Sequence, residues 1–257
     1  MKERLIFVTN DDGYYAKGIE ALIEVASEFG RVVAVAPKTH QSGMSHAITM
    51  HMPLYPETIY KNERVELCAL NGTPVDCVKY ALDYKLKDES VDLVLSGINH
   101  GSNSAINVLY SGTMGAAIEG SFYAPAIGFS LENHLESASL EASKQIVREV
   151  LIKVLATEPQ RGVCLNVNIP DLPKEQIKGI KVCRQNMGYW REKFYSRVDP
   201  RGREYLWLTG EFVNSEPDAT DSDTAAIANG YAAIVPIQVD MTDYKSLESL
   251  QALDFEV

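Results

Sequence analysis

The sequence predicts an α/β fold, in which a core built on a parallel sheet is followed by a β-rich C-terminal extension. A strand, a helix and a second strand follow one another within the first 37 residues, and this order requires a parallel sheet with a right-handed crossover. Further short apolar runs end in polar, glycine-containing loops, and after about residue 175 the chain becomes rich in aromatic and charged residues. We therefore expect one domain over 1–257, with a core over about 1–175 and an extension over about 176–257.

The composition limits the classes of partner. The chain has 257 residues, 46% of them hydrophobic, which is enough for a sizeable core. Its formal net charge of −11 repels polyanions, so we expect no binding to extended nucleic acid. A small anion can still bind where a metal ion or backbone N–H groups supply local positive potential.

The cysteines and the apolar runs indicate a compartment. The four cysteines form no C-x-x-C pair and no zinc spacing with histidine, which is typical of reduced thiols in the cytosol. The first apolar run is too short for a signal peptide, and no later run reaches the length of a membrane span. We expect a cytoplasmic protein that does not contact the membrane.

The first predicted strand ends in two adjacent carboxylates. Leu5 to Thr9 reads as a buried parallel strand, and Asp11 and Asp12 follow it. Ligands of open α/β sheets bind at the carboxyl ends of the strands. Neighbouring carboxylates repel each other unless a cation such as Mg²⁺ or Mn²⁺ lies between them. The same residues also suit an ordinary polar turn, because Asp-Gly is a common turn pair.

The next elements complete the first βαβ unit. Apolar residues at helical spacing predict a helix within 14–29, and 31–37 reads as the second strand, ended by a proline. Dinucleotide binding and P-loop chemistry are disfavoured, since neither glycine-rich motif is present. The loop after the second strand carries Ser42, which is either a ligand at the same edge or an ordinary turn serine.

Two further loops are expected at this edge. After short strands within 47–70 and a helix beginning at Pro74, the strand 91–96 runs into a predicted loop, 97–103, that contains Asn99. Ser111, Gly112 and Thr113 then open a helix, and unpaired N–H groups at a helix start suit a phosphate. A capped, tightly packed helix explains the same small residues.

Strands and helices alternate along the rest of the chain until the C-terminal extension begins. We predict strands at 125–131 and 163–170 with a long amphipathic helix, 140–156, between them. In the extension, 199–203 reads as a hairpin turn among aromatic-rich strands, followed by a short helix at 225–229 and a last strand at 231–239. Such an arm often packs on another subunit.

Five motifs in this order resemble the SurE family of 5′/3′-nucleotidases, over nearly the whole chain. Each motif alone is weak, but together and in order they are specific. They are Val8-Thr9-Asn10-Asp11-Asp12-Gly13, Pro37 with Ser42-Gly43, Gly72-Thr73-Pro74-Val75-Asp76, Ser96-Gly97-Ile98-Asn99-His100-Gly101-Ser102-Asn103, and Tyr110-Ser111-Gly112-Thr113-Met114-Gly115.

The resemblance implies a fold and an activity. The fold is a three-layer α/β/α Rossmann-like, mostly parallel sheet with a C-terminal hairpin and tail exchanged in homodimers or homotetramers. The activity is metal-dependent hydrolysis of nucleoside monophosphates to nucleoside and phosphate, a 5′-nucleotidase. Hydrolysis of 3′-nucleotides and short polyphosphate is left open.

The resemblance also assigns residues. One divalent ion per subunit, Mn²⁺ or Mg²⁺, is held by Asp11, Asp12, Ser42 and Asn99. The phosphate faces Ser111, Gly112 and Thr113. Asp11 and Asn99 are the catalytic residues, with Asp11 orienting or deprotonating the attacking water. His100 is a candidate for the acid that protonates the leaving oxygen.

Two other functions compete with this one. In the first, Asp11 is a covalent nucleophile, as in aspartyl-phosphate phosphatases, although those enzymes carry D-x-D instead of adjacent aspartates. In the second, the chain is a Mg²⁺-binding receiver domain that accepts phosphate as a signal. Receiver domains are about half this length and need a third aspartate and a lysine, where this chain has Asn99 and Ser111.

Overall fold

The computed structural model describes residues 3–157 and 159–253. A nine-stranded sheet forms the centre, in the order β3-β4-β2-β1-β5-β6-β7-β11-β8. All neighbouring pairs are parallel except β3–β4 and β7–β11. The bounds of these strands are β1 Leu5–Thr9, β2 Arg31–Pro37, β3 Pro56–Lys61, β4 Val65–Leu70, β5 Leu93–His100, β6 Ala126–Leu131, β7 Cys164–Ile169, β8 Ile180–Val182 and β11 Ala232–Ile237.

Helices cover both faces of the sheet, which gives the predicted three layers. The helices are α1 Lys17–Ser27, α2 Pro74–Lys79, α3 Gly112–Ser121, α4 Glu141–Ala156, α5 Asp223–Ala228 and α6 Tyr244–Gln251. A π-helical turn, Tyr80–Lys85, continues α2, and 3₁₀ turns lie at Ala105–Leu109 and Lys174–Gln176. In the described residues, no helix combines the length and the apolar character needed to cross a bilayer.

The core has two halves because side chains alternate along each strand. Ile6 and Val8 of β1 pack with residues of α1 and α4, whereas Leu5 and Phe7 pack with residues of α2 and α3. Every residue of β1 is buried, as expected for a central strand of a parallel sheet. β1 therefore holds the following residues, Asp11 and Asp12, in a fixed position at the centre of the sheet.

Most predicted elements are confirmed, with shifted ends. α1 begins three residues later than predicted, and within 47–70 only β3 and β4 form strands. β5 continues to His100, so Asn99 lies on a strand instead of the predicted loop. β5 can be longer than predicted because its register on β6 shifts after Ser96, and pairing resumes with Asn99 opposite Ser130.

The C-terminal part has two structural roles. β8 and β11 join the main sheet, beyond the residue near 175 at which we divide the chain. β9 Gly188–Val198 and β10 Glu204–Asn214 form a separate antiparallel hairpin, with eleven residues in each strand. Its turn is the predicted one, closed by the N–H of Gly202 donating to the carbonyl of Asp199 at 2.9 Å.

Candidate metal and phosphate site

The predicted site residues meet at the carboxyl edge of the sheet. Asp11 and Asp12 follow β1, Ser42 lies in the loop after β2, and Asn99 lies at the end of β5. β2, β1 and β5 are neighbours in the sheet, so these segments end side by side. Ser111 begins α3 beside them.

Two adjoining clefts open at this edge. The larger, of about 1030 Å³, is lined by Asp11, Ser42, Asn99 and Ser111 among others. The smaller, of about 790 Å³, is lined by Asp12 and shares Ser42 with the first. The structure thus places three of the four predicted metal ligands in one cleft and Asp12 at the wall of its neighbour.

Asp11 is held rigidly and carries an electrostatic penalty. It is 3% exposed, and its Oδ1 accepts a hydrogen bond of 2.5 Å from the hydroxyl of Thr113. Burial, together with the neighbouring Asp12 carboxylate, raises the pKa of Asp11 from 3.8 to about 6. A bound cation would remove that penalty by neutralising the paired charges.

The start of α3 lies directly against this carboxylate. A Cβ atom at Gly112 would come within 2.8 Å of the Cβ of Asp11, so only glycine allows this approach. The hydroxyl of Ser111 accepts a hydrogen bond from the N–H of Met114 at 3.0 Å and caps the helix. The hydroxyl of Thr113, a residue of the predicted phosphate loop, donates to Asp11.

Histidines surround Asp12. Nδ1 of His40 lies 3.2 Å from Oδ1 of Asp12, and Nε2 of the same ring lies 2.7 Å from the hydroxyl of Ser42. The backbone N–H of His100 donates to Oδ2 of Asp12 at 3.4 Å, and Nδ1 of that ring is 3.9 Å away. Nε2 of His100 is buried and has no hydrogen-bond partner among the described residues.

The donor set suits a hard divalent cation. Asn99 is 8% exposed, and its amide nitrogen donates to the carbonyl of Gly101 at 2.9 Å, which leaves the amide oxygen available. The predicted ligands are thus two carboxylates, a hydroxyl and an amide oxygen, as Mg²⁺ and Mn²⁺ prefer. Residues 3–157 and 159–253 contain no group of three or more His, Cys, Asp or Glu suited to a metal.

The loop that carries Ser42 is anchored on α3 and on the turn before it, by contacts that no sequence motif indicates. The N–H of Ser45 donates to the carbonyl of Tyr110 at 3.1 Å, and its hydroxyl donates to the carbonyl of Leu109 at 2.6 Å. Nε2 of His46 lies 2.8 Å from Oε2 of the buried Glu119. Lys79 pairs with the other oxygen of Glu119 at 2.5 Å.

The far wall of the larger cleft comes from the hairpin. Nε1 of Trp190 donates to Oδ1 of Asn107 at 2.7 Å, and its ring contacts Phe212 edge-on at a centroid distance of 6.2 Å. Glu132, just after β6, lines the same cleft. The aromatic residues are visible in the sequence, but their place at the site is not. The only available signal was their clustering in the hairpin, which gives no direction for their side chains.

Comparison with known proteins supports a single family. The family model described as "Survival protein SurE" matches residues 6–192. The chain is 47% identical over 254 residues to "5′-nucleotidase SurE" of Christiangramia forsetii, covering 98% of this chain and 97% of that protein. It is 47% identical over 256 residues to the protein of the same name from Flavobacterium psychrophilum, covering 99% of each.

A solved structure agrees with this assignment. The fold matches the crystal structure of the SurE protein from Aquifex aeolicus with a TM-score of 0.82 at 36% identity, covering 96% of this chain and 98% of that one. On the fold, the family model and these relatives, the chain belongs to the SurE family.

Proposed function

We propose that this chain is a divalent-metal-dependent phosphatase that hydrolyses nucleoside monophosphates to nucleoside and phosphate, as a 5′-nucleotidase. The observation that carries the proposal is the buried Asp11–Asp12 pair packed against the start of α3. That arrangement puts cation-binding carboxylates beside N–H groups suited to phosphate. The relatives named "5′-nucleotidase SurE" match the chain from end to end.

In this proposal Asp11, Asp12, Ser42 and Asn99 hold one ion per subunit, Mn²⁺ or Mg²⁺. When bound, such an ion polarises a phosphoryl oxygen and lowers the pKa of water. The side chain of Asp11 orients the attacking water or takes its proton. In the metal-free protein the pKa of Asp11 is raised to about 6, so this carboxylate is ionised at neutral pH and ready to bind the cation.

The start of α3 receives the phosphate. Ser111, Gly112 and Thr113 form the phosphate loop. The N–H of Ser111 donates to the carbonyl of Asn107 at 3.1 Å, so the N–H groups that have no partner within the helix are those of Gly112 and Thr113. Fixed donors of this kind stabilise charge on the phosphoryl oxygens without reorganisation. We assign protonation of the leaving oxygen to His100, which lines both clefts and whose Nδ1 lies 3.9 Å from Oδ2 of Asp12. Because its Nε2 is buried, the ring has to turn to present that atom to the substrate.

We also propose that the chain forms homodimers or homotetramers through the β9–β10 hairpin. Large apolar side chains are exposed along it, including Phe194, Leu206, Trp207 and Leu208. A two-stranded hairpin is only marginally stable alone, and exposed apolar patches mark interfaces. Light scattering of the wild type and of Leu206→Glu tests this: the variant should shift towards the monomer, and an unchanged mass contradicts the proposal.

We further propose a cytoplasmic location. All four cysteines are free, and three of them are buried, as is usual where thiols stay reduced.

Phosphate release tests the activity. A panel of AMP, GMP, CMP, 3′-AMP and short polyphosphate is assayed with and without EDTA, for the wild type and for Asp11→Asn. We expect turnover of nucleotides that EDTA abolishes and a folded, nearly inactive variant. Full activity in EDTA contradicts the mechanism.

Two controls separate the competing functions. Release of many phosphates per chain excludes a receiver domain. A trapped phospho-enzyme, sought with labelled AMP after acid quenching, would favour Asp11 as a covalent nucleophile.

A further inference from the structure

A carboxylate with no role in the proposed chemistry lies in the larger cleft. Glu132 is half-buried just beyond β6 and lines this cleft together with Asp11 and Asn99. Its Oε1 accepts a hydrogen bond of 2.5 Å from the hydroxyl of Ser102. No other side chain of the described residues donates to Glu132, and none forms an ion pair with it.

The charge of Glu132 is poorly compensated. Burial raises its pKa, and the buried Asp223 carboxylate raises it further. A half-buried carboxylate with a single donor is costly to keep ionised. A ligand that brings hydroxyl or N–H donors to its second oxygen would repay part of that cost.

The register of the sheet places Glu132 at a defined distance from Asn99, one of the proposed metal ligands. Asn99 of β5 lies opposite Ser130 of β6, and Glu132 is two residues further on. With neighbouring strands about 4.8 Å apart and a rise of about 3.3 Å per residue, the Cα atoms of Asn99 and Glu132 are about 8 Å apart. The sugar of a nucleoside monophosphate lies next to the phosphate, whereas the edge of the base lies further away.

We propose that Glu132, oriented by Ser102, accepts a hydrogen bond from the 2′-hydroxyl of the ribose, so that the enzyme prefers ribonucleotides to 2′-deoxyribonucleotides. This inference rests on the proposed nucleotidase function and adds recognition of the sugar to it. A 2′-deoxy sugar keeps its 3′-hydroxyl but lacks the donor that Glu132 would meet, and a polar site rejects an analogue that lacks the expected hydroxyl. The aromatic wall of Trp190 and Phe212 remains for the base, since aromatic rings stack on any base.

Paired substrates test the sugar contact. We compare kcat/KM for AMP and 2′-deoxy-AMP in the wild type, Glu132→Ala, Glu132→Gln and Ser102→Ala. We expect a wild-type ratio of about tenfold or more, given the strength of hydrogen bonds to charged groups. The ratio should approach one in Glu132→Ala and be intermediate in Ser102→Ala. Glu149→Ala, on the exposed face of α4, is the control and should keep the wild-type ratio.

A binding assay separates this inference from the activity. Calorimetry in EDTA measures the affinities of adenosine and 2′-deoxyadenosine, while p-nitrophenyl phosphate reports phosphate chemistry without a sugar. If the wild type hydrolyses nothing but still binds adenosine more tightly, with the difference lost in Glu132→Ala, the sugar contact stands and the nucleotidase proposal fails.

Three results would overturn the sugar contact. The wild type could treat the two sugars equally. Folded Glu132→Ala and Glu132→Gln could both keep the wild-type preference. The variants could alter the choice between AMP and GMP and leave the sugar ratio unchanged, which would assign Glu132 to the base.

Discussion

The hydroxyl of Thr113 donates a 2.5 Å hydrogen bond to the carboxylate of Asp11, across 102 positions of sequence. It links the loop after β1 to the start of α3. The bond also favours the ionised form of Asp11, against the effects of burial and of Asp12. One contact therefore influences both the position and the charge of the proposed catalytic carboxylate.

Replacing Thr113 by valine should impair the site without unfolding the protein. Valine has the same shape but no hydroxyl, so the pKa of Asp11 should rise further and Mn²⁺ should bind more weakly at neutral pH. We expect kcat/KM to fall by about tenfold or more, as for the loss of a hydrogen bond to a charged group. Thr113→Ser keeps the hydroxyl and should stay close to wild type. Equal activity in the two variants would remove any role for the bond.

Asp11→Asn should stabilise the metal-free protein while it abolishes activity. The raised pKa means that the ionised Asp11 destabilises the native state at neutral pH. A shift from 3.8 to about 6 corresponds to at most about 3 kcal/mol, at roughly 1.4 kcal/mol per pKa unit. Urea denaturation in EDTA measures the gain, and a variant less stable than the wild type contradicts the cost of burying an ionised Asp11 beside Asp12.

The affinity for Mn²⁺ should fall as the pH is lowered below about 6. Below about pH 6 a proton occupies Asp11 and competes with the cation. We expect Mn²⁺ affinity, measured by calorimetry, to fall about tenfold per pH unit below pH 6. The stability of the metal-free protein should change in the opposite sense. Because the pKa of Asp11 is raised in the native state, Asp11 contributes favourably to the free energy of unfolding below pH 3.8. This contribution is lost as the pH rises through 6.

Glu119→Gln should loosen the loop that carries Ser42. The variant weakens two charge-assisted contacts to a buried carboxylate, one from His46 and one from Lys79. We expect a loss of about 1–2 kcal/mol in unfolding free energy, since both partners are partly exposed, together with weaker Mn²⁺ binding. Glu141→Gln changes an exposed glutamate of α4 and should be neutral. If Glu119→Gln loses stability yet binds Mn²⁺ normally, the anchor does not serve the metal site.

His100→Gln should slow substrates with poor leaving groups most. A nucleoside leaves as a basic alkoxide and needs a proton, whereas p-nitrophenolate does not. We expect kcat for AMP to fall about a hundredfold, and that for p-nitrophenyl phosphate much less. His51→Gln, at an exposed position, is the matched control. Equal losses on the two substrates would assign the proton to another group.

The sequence indicated the fold well because its signals are local. The buried run of β1, the proline that ends β2 and the small residues at the start of α3 are each readable within a few positions. α6 was not predicted, although Tyr244, Leu247 and Leu250 recur at helical spacing, because the apolar stripe is short and none of its residues is buried. Its only clear signal is Asp243, whose carboxylate accepts from the N–H groups of Lys245 and Ser246.

The site could be predicted only in part, because many of its contacts join residues far apart in the sequence. Asp11, Asp12 and Ser42 follow strands and Asn99 lies at the end of one, so topology alone brings them to one edge. Their assignment as metal ligands stays a prediction. The contacts of Glu119 with His46 and Lys79 could not be predicted from the sequence, because they join segments up to 73 residues apart. The bridging position of His40 depends on the path of its loop.

Because Gly112 has no side chain, the distance between α3 and Asp11 should be insensitive to loop insertions and to heating below the melting temperature. Since α3 touches Asp11 through the backbone of Gly112 and the hydroxyl of Thr113, and Thr113 and Met114 are fully enclosed, the distance between Asp11 and the helix is set by the interior. Insertions in the surrounding surface loops should leave that distance unaltered. Heating should preserve it until the interior itself melts, so inactivation and global unfolding should occur at the same temperature.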